Sequence, residues 1–171
     1  IRNTILFGKY RLLHKLGTGR AGTVWLAVHI GLEEYRAIKR ISKRDADYDT
    51  FRREALVLKE LRHPGIPIIY DLEEDSEFFY LIEEYLEGYS LYALIANQGP
   101  IQEAEAVRYG MQVCGLVAYM HSACELPILH LDLQPNNLII CNGTVKLIDF
   151  DHAAGCRWAN IAPKRFGTVG C

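Results

Sequence analysis

The sequence is short of several features that would announce a simple function. Its formal net charge is only −2 and no segment is a basic tract, which argues against a nucleic-acid or membrane-surface partner. No apolar run approaches the ~20 residues that span a bilayer, and no secretory signal opens the chain. Its five cysteines (Cys114, Cys124, Cys141, Cys156 and Cys171) include no CxxC pair. That spacing argues against a zinc site and points to scattered thiols in a disulfide-free intracellular protein. Internal repeats and low-complexity stretches are lacking too. What is present is ordinary globular composition. Half of the 171 residues are hydrophobic and 23% are charged, enough for one sizeable domain with its own core. The chain opens on Ile1 and stops at Cys171, so both ends are read as cut from something longer.

Two halves are expected. Residues 1 to about 86 read as short strands and one helix, and residues 87–171 as helices followed by short strands and loops. Tyr10 to Leu16 and Thr23 to Val28 are strand-like runs around a glycine cluster. Tyr35, Ala37, Lys39 and Ile41 alternate with Arg36, Ile38 and Arg40, and so share one face of a third strand. Asp49 to Leu61 is predicted helical, with Phe51, Ala55 and Leu58 on one stripe. Ile66 to Leu72 and Phe79 to Tyr85 are two further strands. Ser90 to Asn97 is a short helix stopped by Gly99-Pro100, and Ile101 to Ser122 a long one. Apolar residues cover well over half of the long helix's circumference, which predicts burial on several sides. The strands and loops after the helix can cover only part of that surface. Residues 1–171 alone are therefore expected to self-associate and to lack activity.

Three groups of residues carry chemistry. The first is Gly17-Thr-Gly19-Arg-Ala-Gly22-Thr-Val24. Glycines at these spacings let a strand–turn–strand backbone lie close against phosphates. A plain glycine-rich hairpin reads equally well. A dinucleotide-binding turn does not, because a strand follows where a helix is required. The second is Lys39, whose stem shares a face with Ala37 and Ile41. A buried ammonium needs a carboxylate partner, and Glu54, on or beside the helix's apolar stripe, is a candidate. Alternatively, Glu54 sits at the stripe's edge and reaches water.

The third group is the most specific. His130-Leu-Asp132-Leu-Gln134-Pro-Asn-Asn137 precedes the apolar run Leu138 to Ile140. Asn142-Gly143 then separates it from a second run ending in Asp149-Phe150-Asp151. Asn-Gly between apolar runs signals a two-residue hairpin turn. Centring the hairpin there sets Asn137 opposite Ile148, so that Asn137 and Asp149 emerge side by side at its open end. A carboxylate and an amide oxygen converging in this way suit magnesium, a hard cation. Asp132, in the preceding loop, is placed to accept a proton from a hydroxyl or to orient it. Turn formation explains each of these residues singly, but explains all three around one hairpin poorly.

In this order, the residues resemble the eukaryotic-like Ser/Thr protein kinases, including their bacterial members, from about Tyr10 to the end. Gly17 to Val24 is similar to the glycine-rich loop, Arg36-Ala-Ile-Lys39 to the V-A-I-K strand, and Glu54 to that lysine's helix partner. His130 to Asn137 resembles the H-R-D catalytic loop, and Asp149-Phe-Asp151 the D-F-G metal motif. Glu84-Tyr85-Leu86 resembles the hinge that takes adenine through its backbone. Val24, Ala37 and Ile139 match positions that sandwich the adenine ring, and Gly167-Thr168-Val-Gly170 the end of the activation segment.

The resemblance implies an α+β, bilobal kinase fold. Its N-lobe is complete, with a five-stranded antiparallel sheet and one helix (residues 1–86), and its helical C-lobe is partial (residues 87–171). It further implies ATP and Mg²⁺ as cofactors, Asp132, Lys39, Glu54 and Gln134 as catalytic residues, and Asn137 and Asp149 as metal ligands. Gly17, Gly19, Gly22, Val24, Ala37, Lys39, Glu84, Leu86 and Ile139 would hold the nucleotide. The expected partner is a protein with a Ser/Thr acceptor, with neither nucleic-acid binding nor membrane insertion by this segment. The expected location is cytoplasmic, alone or as the cytosolic part of a larger protein.

Departures from the pattern are Leu131 for the arginine of H-R-D, Gln134 for a lysine, Asp151 for the glycine of D-F-G, and Glu83 just before the hinge. Two other readings stay open. His130-x-Asp132 with Asn137, then Ile148-Asp-Phe-Asp151, resembles equally the signature of aminoglycoside and choline phosphotransferases. Gln134 and Glu83 would also suit a pseudokinase binding module.

Overall fold

The computed structural model describes residues 4–19, 22–125 and 127–155. Contacts divide the chain into two compact units, Ile1–Leu56 with Ile68–Leu86, and Val57–Pro67 with Glu87–Cys171.

The first unit is built on a six-stranded antiparallel sheet, counted among the described residues, in the order β1-β2-β3-β4-β6-β5. Its strands are β1 (Ile5–Leu6), β2 (Tyr10–Gly19), β3 (Gly22–His29), β4 (Glu34–Ser42), β5 (Ile69–Glu74) and β6 (Phe78–Glu84). The five expected strands are thus joined at one edge by the two-residue β1. β5 begins later than the sequence suggests, at Ile69 rather than Ile66. Proline has no N–H to give a ladder, and Pro67 falls in that stretch. β5 also carries an irregularity between Ile69 and Asp71.

The sheet is covered on both faces. On one, Tyr10, Leu12, Ala27, Ile38, Tyr80 and Ile82 form a buried cluster, with Leu6, Phe7, Trp25 and Phe78 packed against it. On the other, Ile41, Phe79 and Leu81 pack with Phe51 and Ala55 of helix α1 (Tyr48–Glu60). The Phe51 and Phe79 rings stack, with centroids 4.9 Å apart and planes within 9°. The sheet curls enough for its two edges to meet. Lys9, in the turn after β1, places Nζ 2.8 Å from Glu73 Oε1 and 3.3 Å from Asp71 Oδ2 on β5. Hydrogen bonding to Glu73 and then Asp71 raises the Lys9 pKa above its ordinary value.

In the second unit, β7 (Tyr89–Ser90) leads into α2 (Leu91–Gln98). Ser90 caps that helix, its Oγ accepting from the Ala93 amide at 3.1 Å. Gly99 ends it at φ 82°. Helix α3 (Glu103–Ser122) buries Tyr109, Leu116 and Met120. Its other apolar stripe is open, with Val107 56% and Met111 71% exposed and Cys114 exposed as a free thiol. Among the described residues the helix is thus buried along one stripe, and the open one is surface that the strands and loops after it were expected to leave uncovered. β8 (Ile128–Leu129) pairs with β11 (Ala154–Gly155). β9 (Leu138–Cys141) and β10 (Thr144–Leu147) form the expected hairpin, turning at Asn142 (φ 49°) and Gly143 (φ 80°), as a type I′ turn requires. Gln112 of α3 ties this hairpin down. Its Nε2 donates to the Gly143 carbonyl at 3.0 Å and its Oε1 accepts from the Val145 amide at 2.9 Å.

Among the described residues no helix is long and apolar enough to cross a membrane.

Candidate active site

The hairpin fixes the ends of the loop that carries Asp132. Ladder pairing runs from Thr144↔Cys141 to Leu147↔Leu138, the register read from the sequence. One further bond, from the Ile148 amide to the Asn137 carbonyl at 2.9 Å, extends it to the open end. There a single 3₁₀ turn, Pro135–Asn137, is closed by the Asn137 amide on the Gln134 carbonyl at 2.9 Å.

Asp132 is held by two side-chain amides. Gln134 Nε2 donates to Asp132 Oδ2 at 2.9 Å, and Asn137 Nδ2 donates to the same oxygen at 3.0 Å and to the Asp132 carbonyl at 2.9 Å. Asn137 is buried. Its nitrogen is committed to Asp132, so its oxygen is the end that a cation would meet. Asp149 follows the last rung directly and turns left-handed, at φ 66°. Leu131, one residue before Asp132, is left-handed too, at φ 64°, and 43% exposed. Two non-glycine residues in this region mark a backbone that its surroundings hold under strain.

His130 supplies part of that hold. Its Nδ1 accepts from the Asp132 amide at 3.3 Å, so Nε2 carries the proton and donates to the Ile148 carbonyl at 3.0 Å. The buried Phe150 ring meets it edge to face, centroids 4.8 Å apart. Burial lowers the His130 pKa below its ordinary value. The bond to Ile148 and the carboxylates of Asp149, Asp132 and Asp151 oppose that shift without cancelling it. Sequence reasoning used His130 only as part of a motif. Its role as a neutral bridge from the Asp132 loop to the strand before Asp149 shows only in three dimensions.

The other expected site residues lie in the first unit, apart from Ile139. Val24 is the register partner of Lys39, and Ala37 lies opposite Leu26 and Glu83. Lys39 is only 6% exposed. Glu54 falls within α1, but its side chain lies outside the described residues, as do Arg20, Ala21 and the Gly167–Gly170 motif. Gly17 pairs with Val24 and Gly19 with Gly22. The three glycines differ in kind. A Cβ on Gly22, at φ +127°, would be driven into the Arg40 carbonyl oxygen. One on Gly17 or Gly19 would meet none of the described residues within 4 Å. Packing therefore demands Gly22 but explains neither of the others. The Glu84 amide donates to the Ile68 carbonyl at 2.8 Å, and Leu86 follows just beyond β6, half-buried. Ile139 is half-buried in β9, opposite Lys146 and Ser90.

Residues 10–170 match the protein kinase domain. The chain belongs to that family. The kinase domain is 36% identical over 149 residues to the serine/threonine-protein kinase PrkC of Bacillus subtilis, covering 84% of this chain and 22% of that protein. It is 34% identical over 148 residues to calcium-dependent protein kinase 5 of Plasmodium falciparum, covering 84% and 26%. It is 35% identical over 154 residues to the Aurora kinase of Eremothecium gossypii, covering 87% and 40%. The chain spans a fifth to two fifths of the length of these relatives. The α+β kinase fold expected from the motifs, with its curled antiparallel sheet, is the fold observed.

An oxygen-donor pair is what magnesium prefers. The Asn137 amide oxygen and the Asp149 carboxylate, on adjoining ends of one hairpin, fit that ion.

Proposed function

We propose that the protein transfers the γ-phosphoryl group of ATP, bound with Mg²⁺, to Ser or Thr hydroxyls of proteins. The observation that carries this reading is the held Asp132 carboxylate, fixed by Gln134 and Asn137 beside a left-handed turn. Asp132 orients the acceptor hydroxyl and takes up its proton as the phosphoryl group moves. Asn137 and Asp149 hold the cation, which neutralises phosphate charge when bound. Lys39 orients the α- and β-phosphates while paired with Glu54. Gly17, Gly19 and Gly22 let the backbone close over them. The backbone of Glu84 and Leu86 takes the adenine edge, and Val24, Ala37 and Ile139 its faces. The names of relatives support a hydroxyl amino acid in a protein as acceptor. The absence of a basic tract gives no support to nucleic-acid binding, and use of ATP fits a cytoplasmic location. Residues 1–86 would then supply the nucleotide half and residues 87–171 the catalytic half.

The test is Asp132→Asn in the full-length protein, assayed with labelled ATP against protein and small-molecule acceptors. Transfer to protein falls by at least ~10²-fold, while ATP affinity stays nearly unchanged. Full residual transfer would overturn the assignment. Transfer to small molecules alone would move the protein to the aminoglycoside and choline phosphotransferase reading.

A further inference from the structure

Glu83 occupies a place where a carboxylate is costly. It lies in β6 opposite Ala37 of β4 on one side and Ile69 of β5 on the other. Residues directly opposite in an antiparallel pair project to the same face, and alternate residues return to it. Glu83 therefore shares a face with Ala37, Lys39, Leu81 and Phe79. That face is the apolar one, where Phe79 and Leu81 pack with Phe51 and Ala55 of α1, with Ile69 and Leu72 alongside. Glu83 itself is half-buried, and Leu81 is fully buried.

The same register sets Lys39 opposite Leu81, two residues from Glu83. Lys39 and Glu83 are thus diagonal neighbours across the β4–β6 ladder, about 7–8 Å apart at the backbone. Two long side chains close that gap readily. Both charges gain by meeting. An ammonium buried to this depth needs a counter-ion close by, and so does a carboxylate among Ile69, Leu81 and Ala37.

We infer that Glu83 is a positioning residue for Lys39, its carboxylate accepting a hydrogen bond from the ammonium. The inference rests on the proposed function for what Lys39 does, but not for the pairing. A carboxylate on β6 differs from one on α1 in its support. β4 and β6 are hydrogen-bonded along seven register pairs, from Arg36↔Glu84 to Ser42↔Phe78. A partner carried on that ladder stays in place whatever the helix does. Lys39 is thereby aligned along the strand by the sheet itself.

The experiment is a double-mutant cycle in the full-length protein, using Glu83→Gln, Lys39→Met and the pair together, with Glu83→Asp as the conservative variant. The first readout is the thermal midpoint of the nucleotide-free protein. Glu83→Gln lowers it by on the order of 5 °C in the native background and by less than about 1 °C when Lys39 is Met. Glutamine preserves shape, so a mere packing role would give equal losses in both backgrounds, and that result would overturn the inference. The second readout is steady-state kinetics. Glu83→Gln raises KM for ATP by on the order of tenfold and changes kcat by less than about threefold, and Glu83→Asp restores part of the loss. An unchanged KM would also overturn the inference. Failure of the native protein to bind or turn over ATP would refute the proposed function instead, and the thermal cycle would still decide the pairing.

Discussion

Gly22→Ala and Gly19→Ala should part company, because the structure gives these neighbouring glycines different reasons to exist. At Gly22 a methyl group meets backbone. It would press on the Arg40 carbonyl oxygen and sit 3.1 Å from its carbon, at a φ of +127° that L-residues rarely adopt. Such a conformation costs about 1–3 kcal/mol. Relieving the clash separates β3 from β4 near the Thr23↔Arg40 pair and forfeits about one further hydrogen bond, ~1 kcal/mol. A loss of about 2–4 kcal/mol corresponds to roughly 5–15 °C in Tm for a chain of this size. At Gly19, as at Gly17, the methyl group meets none of the described residues within 4 Å. Reducing the freedom of the unfolded chain then stabilises the fold by ~0.4–1 kcal/mol. If phosphates approach this backbone, the same methyl group stands in their way, and ATP affinity falls by about tenfold or more. The assay is thermal unfolding of the full-length variants with and without MgATP. Wild-type stability in Gly22→Ala would refute the packing argument. Undiminished ATP binding in Gly17→Ala and Gly19→Ala would refute the phosphate argument and return the segment to a plain hairpin.

Two further outcomes are expected. Because burial holds the His130 pKa below its ordinary value, the unfolded chain binds this proton at a higher pH than the folded one. The contribution is therefore complete above the ordinary histidine value of ~6.5 and is lost as pH falls below it toward the folded value, with a slope of at most ~1.4 kcal/mol per pH unit. His130→Asn should flatten Tm against pH between about 7 and 5.5, and an unchanged profile would show that His130 is not the group titrating. Gln134, which donates to the Asp132 carboxylate at 2.9 Å, stands where the family has a lysine. Gln134→Lys should raise kcat for a peptide substrate, by less than the ~10²–10³ that such a contact can be worth. An equal or slower enzyme would mean that the amide is fitted to its site.

What was legible in the sequence was whatever local chemistry specifies alone. Asn142-Gly143 fixes a turn, the turn fixes the register, and the register fixes the neighbours of Asn137. Helices α2 and α3 end within a residue of where Gly99 and Ser122 suggested. Long-range chemistry was not legible. Arg36 falls on the alternate set from Lys39, yet it too is buried, at 5% exposure. Its guanidinium lies 3.8 Å from the centre of the Tyr70 ring and pairs with Glu34. No spacing between β4 and β5 in the chain announces that stack. Nor does periodicity foresee Phe7 folding back at φ 51° to set its ring 5.1 Å from that of Tyr80, which is how the second face of β4 comes to be covered.

The two sets of proposed site residues rest on different supports, and the difference gives a reason for the side chain at position 137. Lys39, Ala37 and Val24 stand on interior strands, held by ladder bonds and by packing on both faces. Asp132 and Asp149 stand on turns, where backbone bonds are few and left-handed residues must be restrained. Side chains supply that restraint, and on the Asp132 side Asn137 joins Gln134 and His130 in it, through two bonds from one nitrogen. An aspartate there would have no donor to give. It would set a second carboxylate near hydrogen-bond distance of Asp132 Oδ2, and like charges that close cannot both stay ionised. Asparagine joins a donor and an acceptor on one rigid planar group. Its nitrogen fixes the carboxylate proposed to orient the hydroxyl, and its oxygen is left for the cation proposed to hold the phosphates. Both atoms belong to one planar group and move together, which would couple the place of the acceptor to the place of the metal.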